Sequence, residues 1–355
     1  MTEKNTNTAQ YILSNAPHIK DSQSLPKIMW MVVAALMPAC VFSVSTFGIN
    51  SLYLMLGSVI SAITAEALYQ LLMKKPVTCM DGSAAITGLL LAMNVPPEAP
   101  VWMVCIGAFF AIIIVKQLFG GIGFNIFNPA LSARAFLMAS WPVHMTTNWH
   151  KFSSVNVCAE NLQNFSGIPA EAFDAITRAT PLAALKEGSR FFTEMNAPLK
   201  YLHEIIFSNN MLEQLFIGKV GGNLGETSAL LLLAGGMFLL IRKVITWHIP
   251  ASFIGTVAAF MFLYYSFTGF PDPYRVTLFH LLSGGLILGA FFMATDMVTT
   301  PVTKTGMLIF GTGCGLITCV IRLWGGYPEG ISYSILLMNA VSPLIDRFIK
   351  PRVFG

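Results

Sequence analysis

Charge is what this chain has least of. Asp, Glu, Lys and Arg make up 11% of its 355 residues, against about 25% in soluble domains. A water-soluble fold needs a charged outer face, so the shortage excludes an ordinary soluble enzyme. Hydrophobic residues reach 55% and mean hydropathy is +0.66, which points to a bilayer as the solvent. The formal charge of +4 comes from scattered Lys and Arg, so a nucleic-acid footprint is excluded as well. Paired cysteines are missing. Cys40, Cys79, Cys105, Cys158, Cys314 and Cys319 form no CxxC pair, and several sit in apolar runs where Cys acts as a small buried residue. His150, His203, His248 and His280 show no HExxH or paired-ligand spacing, so no metal site is indicated. No P-loop and no Ser-His-Asp arrangement occurs. Residues 1–24 are polar with no apolar core, so a cleaved leader is not expected and the first membrane helix should direct insertion.

What is present is apolar and helical in length. Runs occur at about 28–47, 51–73, 83–95, 101–119, 128–141, 226–241, 249–268, 278–295, 305–323 and 332–348. Several reach the ~20 residues that span a bilayer. Others are shorter and bounded by Gly or Pro, as half-helices inside a bundle would be. The expectation is an all-α polytopic membrane protein with about ten transmembrane helices. Lys20, Lys27, Lys74, Lys75, Lys116, Arg242, Lys243, Lys304, Arg347, Lys350 and Arg352 then fall on one side, which the positive-inside rule makes cytoplasmic. Both termini lie there. The expected organisation is a cytoplasmic segment at 1–26, a first membrane repeat at 27–141, an extracytoplasmic loop at 142–225, a second membrane repeat at 226–349 and a cytoplasmic tail at 350–355.

The halves look duplicated. The stretch from Asp81 to Met93 resembles that from Leu282 to Ala294, Gly120-Gly121 matches Gly325-Gly326, and Asn128 and Asn339 follow their glycine pairs. Five spans per half would insert the repeats with opposite orientation, a transporter architecture with sites at the repeat interface. Glu66 lies inside the second span, where a carboxylate costs roughly 2.5–3.5 kcal/mol. It should face the interior and have a partner; a cation path through it is the sharper alternative. Asp81, Asp296 and Asp346 lie near span ends, where solvated or capping roles are cheap.

The loop at 142–225 holds 13 of the 38 charged residues. It contains Asp174-Ala-Ile-Thr177-Arg178-Ala179-Thr180, followed by Pro181. Read locally, Thr180 is an N-cap, Pro181 the first helical residue and Gly188 the stop of a short helix over 182–187. The stretch also resembles the flavin-attachment motif of the RnfD and NqrB family of membrane subunits, Asp-x-x-Ser/Thr-Gly-Ala-Thr. Asp174, Thr177, Ala179 and Thr180 match; Arg178 stands where the family has Gly. The resemblance implies FMN bound to Thr180 as a phosphoester, attached by an extracytoplasmic flavin transferase, with Thr177 as the other candidate acceptor. A phosphate beside a helix N-terminus suits both readings.

Phe119-Gly120-Gly121-Ile-Gly123-Phe-Asn125-Ile-Phe127-Asn128-Pro129-Ala130 is no dinucleotide fingerprint, because no strand precedes it. Family members carry a similar Gly-Gly and Asn-Pro-Ala run, and the resemblance implies a second, non-covalent flavin (riboflavin) within the membrane part. Gly120, Gly121, Asn125 and Asn128 are its expected contacts; an Asn-capped helix break is the alternative. The Gly-rich run ending in Gly225-Glu226-Thr227-Ser228 also resembles the family. Glu226 should sit in the first turn of span six, complementing the helix dipole or touching the flavin-bearing loop. The short segment before span one is nearer the RnfD type than the longer quinone-reducing type. Membership implies a role within a membrane oxidoreductase and translocase that couples ferredoxin and NAD chemistry to Na⁺ or H⁺ transport, without an NAD site in this chain. A flavin-free inverted-repeat permease or channel, similar to urea transporters, is the competing class.

Overall fold

The computed structural model describes residues 24–146, 180–194, 207, 211–218, 220–327 and 329–350. Among them all regular structure is helical. The first half comprises α1 (Leu25–Phe47), α2 (Ile49–Leu72), α3 (Ser83–Met93), α4 (Val101–Gln117), α5 (Pro129–Ser140) and the short α6 (Pro142–Thr146). Then come α7 (Pro181–Glu194) and α8 (Met211–Ile217). The second half comprises α9 (Ala229–Ile241), α10 (His248–Phe267), α11 (Pro273–Leu282), α12 (Leu286–Met293), α13 (Lys304–Trp324) and α14 (Ile331–Phe348). Four helices, α1, α2, α10 and α13, are long and apolar enough to cross a membrane; α11 and α12, bent by 59° at their break, make a fifth if they form one span. Trp30, Leu72, Ile241, Phe267 and Phe348 are exposed, as lipid-facing side chains would be. The protein is a multi-pass membrane protein.

Short elements have visible stops. Gly82 in left-handed backbone starts α3, and α3 ends just before Pro96-Pro97. Gly285, at φ 67°, separates α12 from α11. Asn128 caps α5 by accepting from the Ala130 and Leu131 N–H groups at 3.0 and 3.2 Å, with Pro129 at the first helical position. Small residues let backbones approach: a Cβ on Gly88 of α3 would lie 2.8 Å from the Ser58 carbonyl oxygen and the Val59 Cα of α2. Helices α2, α3 and α4 pack on one another, and α10 packs on both α11 and α13; α1 packs on α9, and α5 on α14.

Several charges sit differently from the sequence expectation. Lys116 is no water-facing marker. The π-helical winding of Phe110–Gln117 places Lys116 Nζ 2.7 Å from Glu66 Oε1 and 2.6 Å from Ser83 Oγ, and all three residues are buried. Glu66 thus has its interior partner, with Gln117 Nε2 also donating at 2.7 Å. Glu226 lies in a 3₁₀ turn, Leu224–Glu226, ahead of α9, and Ser228 is the cap that accepts from Leu231 N–H. Helix α7 passes through Gly188 and continues to Glu194, because its amphipathic pattern persists and one interior Gly costs only about 1 kcal/mol. The three span-end aspartates each accept from a backbone N–H in a loop or at a helix start. Asp81 accepts from Ser83 N–H at 2.8 Å, Asp296 from Val298 N–H at 3.3 Å and Asp346 from Val302 N–H at 3.1 Å.

Candidate functional site

Thr180 is the N-cap of α7. Its Oγ1 accepts from Ala183 N–H at 3.3 Å and its carbonyl from Ala184 N–H at 2.8 Å. Thr followed by Pro dictates this start: the hydroxyl satisfies an orphan N–H, and Pro fixes φ where no donor is needed. The residue is buried at 3% exposure, yet it lines a cavity of about 300 Å³. Arg134 and Met138 of α5, Met145 of α6, and Tyr327, Glu329 and Tyr333 around the start of α14 form the other walls. Tyr327 and Tyr333 are stacked, 5.3 Å between centroids at 23°.

A buried polar network floors this cavity. Arg134 pairs with the Glu329 carboxylate and donates to Asn94 Oδ1 at 3.1 Å and Ser332 Oγ at 2.7 Å. Asn223 Nδ2 donates to Glu329 Oε1 at 2.9 Å and to Glu226 Oε1 at 2.6 Å. Arg322 donates to the carbonyls of His280, Ser283 and Glu329. Arg134 and Glu329 are therefore held by hydrogen bonds as well as by charge, and Arg322 and Glu226 by hydrogen bonds, which burial requires. Glu226 reaches the edge of the Thr180 site: both residues line one small cleft with Ser283 and Gly284.

The arrangement fits a phosphoester-linked flavin. A hydroxyl at a helix N-terminus favours a phosphate, and the cavity beside it lies at the lower end of the usual ligand-pocket range of about 300–1,000 Å³. The tyrosines offer aromatic faces, and Arg134, Ser332 and Glu329 offer polar groups to ring carbonyls and nitrogens. Asp174, Thr177, Arg178 and Ala179 lie outside the described residues.

Asn125 and Asn128 share a different cavity, of about 110 Å³, with Ser83, Thr87, Lys116 and Asp296. Gly120 and Gly121 are not among its lining residues; they form a turn with φ of 123° and 99°. Asn128 is engaged at both ends of its amide, capping α5 and donating to the Met293 carbonyl at 3.3 Å. Asn125 donates to the Phe127 carbonyl at 3.1 Å. The capped-break reading of this stretch is realised, and Asn125 and Asn128 remain those of the four that face a cavity.

Sequence reasoning missed Glu329, Asn223 and Asn94 as parts of the site. The available signal was Arg134 within an apolar run, since a buried guanidinium demands a carboxylate. Nothing local marked Glu329 as that carboxylate.

A family model described as the NQR2, RnfD, RnfE family matches residues 12–355. The chain belongs to this family. Its similar relatives include the D subunit of the proton-translocating ferredoxin:NAD(+) oxidoreductase complex of Clostridium ljungdahlii, 46% identical over 97% of this chain and 96% of the relative. The D subunit of the Na(+)-translocating ferredoxin:NAD(+) oxidoreductase complex of Acetobacterium woodii is 45% identical over 98% and 96%. The D subunit of the ion-translocating oxidoreductase complex of Stutzerimonas stutzeri is 41% identical over 94% and 92%. Within the NQR2, RnfD, RnfE family these relatives share nearly the whole length of the chain, so the Thr180 cavity and the Arg134–Glu329 network lie inside the shared region.

Proposed function

We infer that the chain is the RnfD component of an ion-translocating ferredoxin:NAD oxidoreductase complex. It works in the bacterial cytoplasmic membrane with the other Rnf proteins, and the complex moves Na⁺ or H⁺. In this reading Thr180 holds FMN covalently, after an extracytoplasmic flavin transferase acts on the Asp174–Thr180 strip, and riboflavin binds in the bundle beside Asn125 and Asn128. When bound, FMN supplies one- and two-electron redox chemistry. This chain's own residues position it: the start of α7 holds the phosphate, and Arg134 and the tyrosines set the polar and aromatic walls of the ring site.

The observation that carries the reading is the placement of Thr180 as a helix cap on the wall of a cavity, in a chain matched over nearly its full length by relatives of the RnfD type. Ten spans in two inverted five-helix repeats belong to the same proposal. In support, the two asparagines paired by sequence meet: with its amide oxygen turned toward α5, Asn339 accepts from Asn128 N–H at 3.1 Å. Helix α2 also packs on α4 as α10 does on α13. The test is in-gel ultraviolet fluorescence of the denatured protein. Wild type and Thr180→Ser should fluoresce, since both keep a hydroxyl and a cap, and Thr180→Ala should be dark. A fluorescent Thr180→Ala band would place the flavin elsewhere, and a dark wild type would favour the flavin-free permease.

A further inference from the structure

A cavity of about 640 Å³ lies beside α7, with walls other than those of the Thr180 cavity. Lys186 and Arg190 of α7, His280 of α11 and Arg322 of α13 line it, and no Asp or Glu does among the described residues. Tyr264 and Trp324 form its aromatic wall, edge to face at 5.7 Å. None of these cations forms an ion pair with a described residue. Lys186 Nζ donates to the carbonyls of Ile321, Gly325 and Tyr327, at 3.2, 2.6 and 3.0 Å, closing the C-terminus of α13. Arg322 likewise spends its donors on carbonyls. Both supply field without a carboxylate contact on this side. Burial pulls Lys186 below the usual ammonium range; the exposed Glu187 beside it opposes this and Arg190, one turn away, adds to it. Like charges at i,i+4 oppose helix stability, so an anion between them would relieve the pair. His280 adds an orphan: Tyr265 Oη bonds its Nε2 at 3.0 Å, while Nδ1, buried, has no partner among the described residues.

A second feature continues from the first. Along α10 from Tyr264 runs a groove of about 420 Å³ whose walls are mostly apolar, including Gly255, Phe260, Leu263 and Leu316; the hydroxyls of Ser252 and Thr256, which also line it, donate to carbonyls of their own helix. A Cβ on Gly255 would meet nothing within 4 Å. Trp324 stands between the two spaces, its ring 5.7 Å from Tyr264 and 6.4 Å from Phe260. From Ala251 to Leu263 the helix rises about 18 Å at ~1.5 Å per residue, the scale of one acyl chain. Exposed Leu263 and Phe267 flank the groove mouth. A cationic recess with an aromatic rim, next to a groove of mostly apolar side chains on exposed helix surface, has the chemistry of an interfacial lipid site.

We propose that this face binds an anionic phospholipid, its phosphate held by Arg190 and Tyr264 in the field of Lys186 and Arg322, and one acyl chain laid along α10 past Gly255. The lipid would brace α7 against α10 and α13, at the end of the bundle that carries Thr180. Nothing in this depends on flavin at Thr180, and in-gel fluorescence should be unchanged in the variants below.

The complex, purified in mild detergent, would be exchanged into mixed micelles of phosphatidylglycerol and phosphatidylcholine, and retained lipid counted by native mass spectrometry. Wild type should retain phosphatidylglycerol over phosphatidylcholine. Arg190→Gln, at an exposed position, should weaken that preference on the order of tenfold. Gly255→Leu should lower retained lipid while keeping the headgroup preference. Equal retention in all three proteins would overturn the site. So would inorganic phosphate displacing the signal as well as phosphatidylglycerol does, which would mark a free-anion pocket. A photo-crosslink from position 190 to another protein of the complex would overturn it too, by showing a protein interface.

Discussion

Replacing Lys116 by Met removes the cation from a buried ion pair and leaves the carboxylate behind. Glu66 Oε1 accepts from Lys116 Nζ and Gln117 Nε2, both at 2.7 Å, and the paired side chains are 4% and 2% exposed. Glu66 Oε2 has no partner among the described residues, so the site has no spare donor to take over. An uncompensated buried charge costs about 3–5 kcal/mol, two to three and a half decades in the folded ratio at about 1.4 kcal/mol per decade. Lys116→Met should therefore lower the heating midpoint of the complex sharply, read by size-exclusion recovery in detergent. Glu66→Leu should cost a comparable amount by stranding the ammonium. The double variant should recover most of both losses, because replacing a buried pair by apolar groups is often neutral or stabilising. Ion transport in the double variant separates structure from conduction: a folded complex that still transports assigns the pair to stability. If each single change costs under about 1 kcal/mol and the two simply add, the pair is solvated and the reasoning fails.

Gly88→Ala should be poorly tolerated, at roughly 1–3 kcal/mol, since the new methyl meets α2 backbone at 2.8 Å rather than a side chain that can rotate; normal yield and midpoint would contradict the close packing. Asn125→Leu should reduce acid-extractable flavin while leaving the denatured band fluorescent, and unchanged extractable flavin would move the second site away from this cavity. A cysteine introduced near Thr180 should react with an impermeant thiol reagent in intact cells; labelling only after lysis would reverse the proposed topology.

The helices were legible because apolar runs bounded by Gly and Pro carry their own punctuation. Leu25–Phe47, His248–Phe267 and Lys304–Trp324 lie within a few residues of the runs at 28–47, 249–268 and 305–323. Thr180 as a cap was legible for the same reason, since Thr-Pro is a local instruction. Pairing was not. That Lys116 would turn inward depends on π-helical winding and on Glu66, fifty positions away, and charge counting along the chain treats every Lys as water-facing. Glu329 meets Arg134 from nearly two hundred positions away. Gly188 misled because a lone Gly reads as a stop, whereas amphipathic packing carries α7 through it.

The central claim is the flavin on Thr180, and trypsin offers a clean way to weigh it. The protease cuts after Arg178 and after Lys186, so the peptide Ala179–Lys186 contains Thr180 and excludes Thr177. Mass spectrometry of that peptide from the purified complex should show a mass increase equal to FMN less one water, with fragments assigning it to Thr180. An unmodified Ala179–Lys186 peptide, or the same increase on the preceding peptide ending at Arg178, would contradict the account.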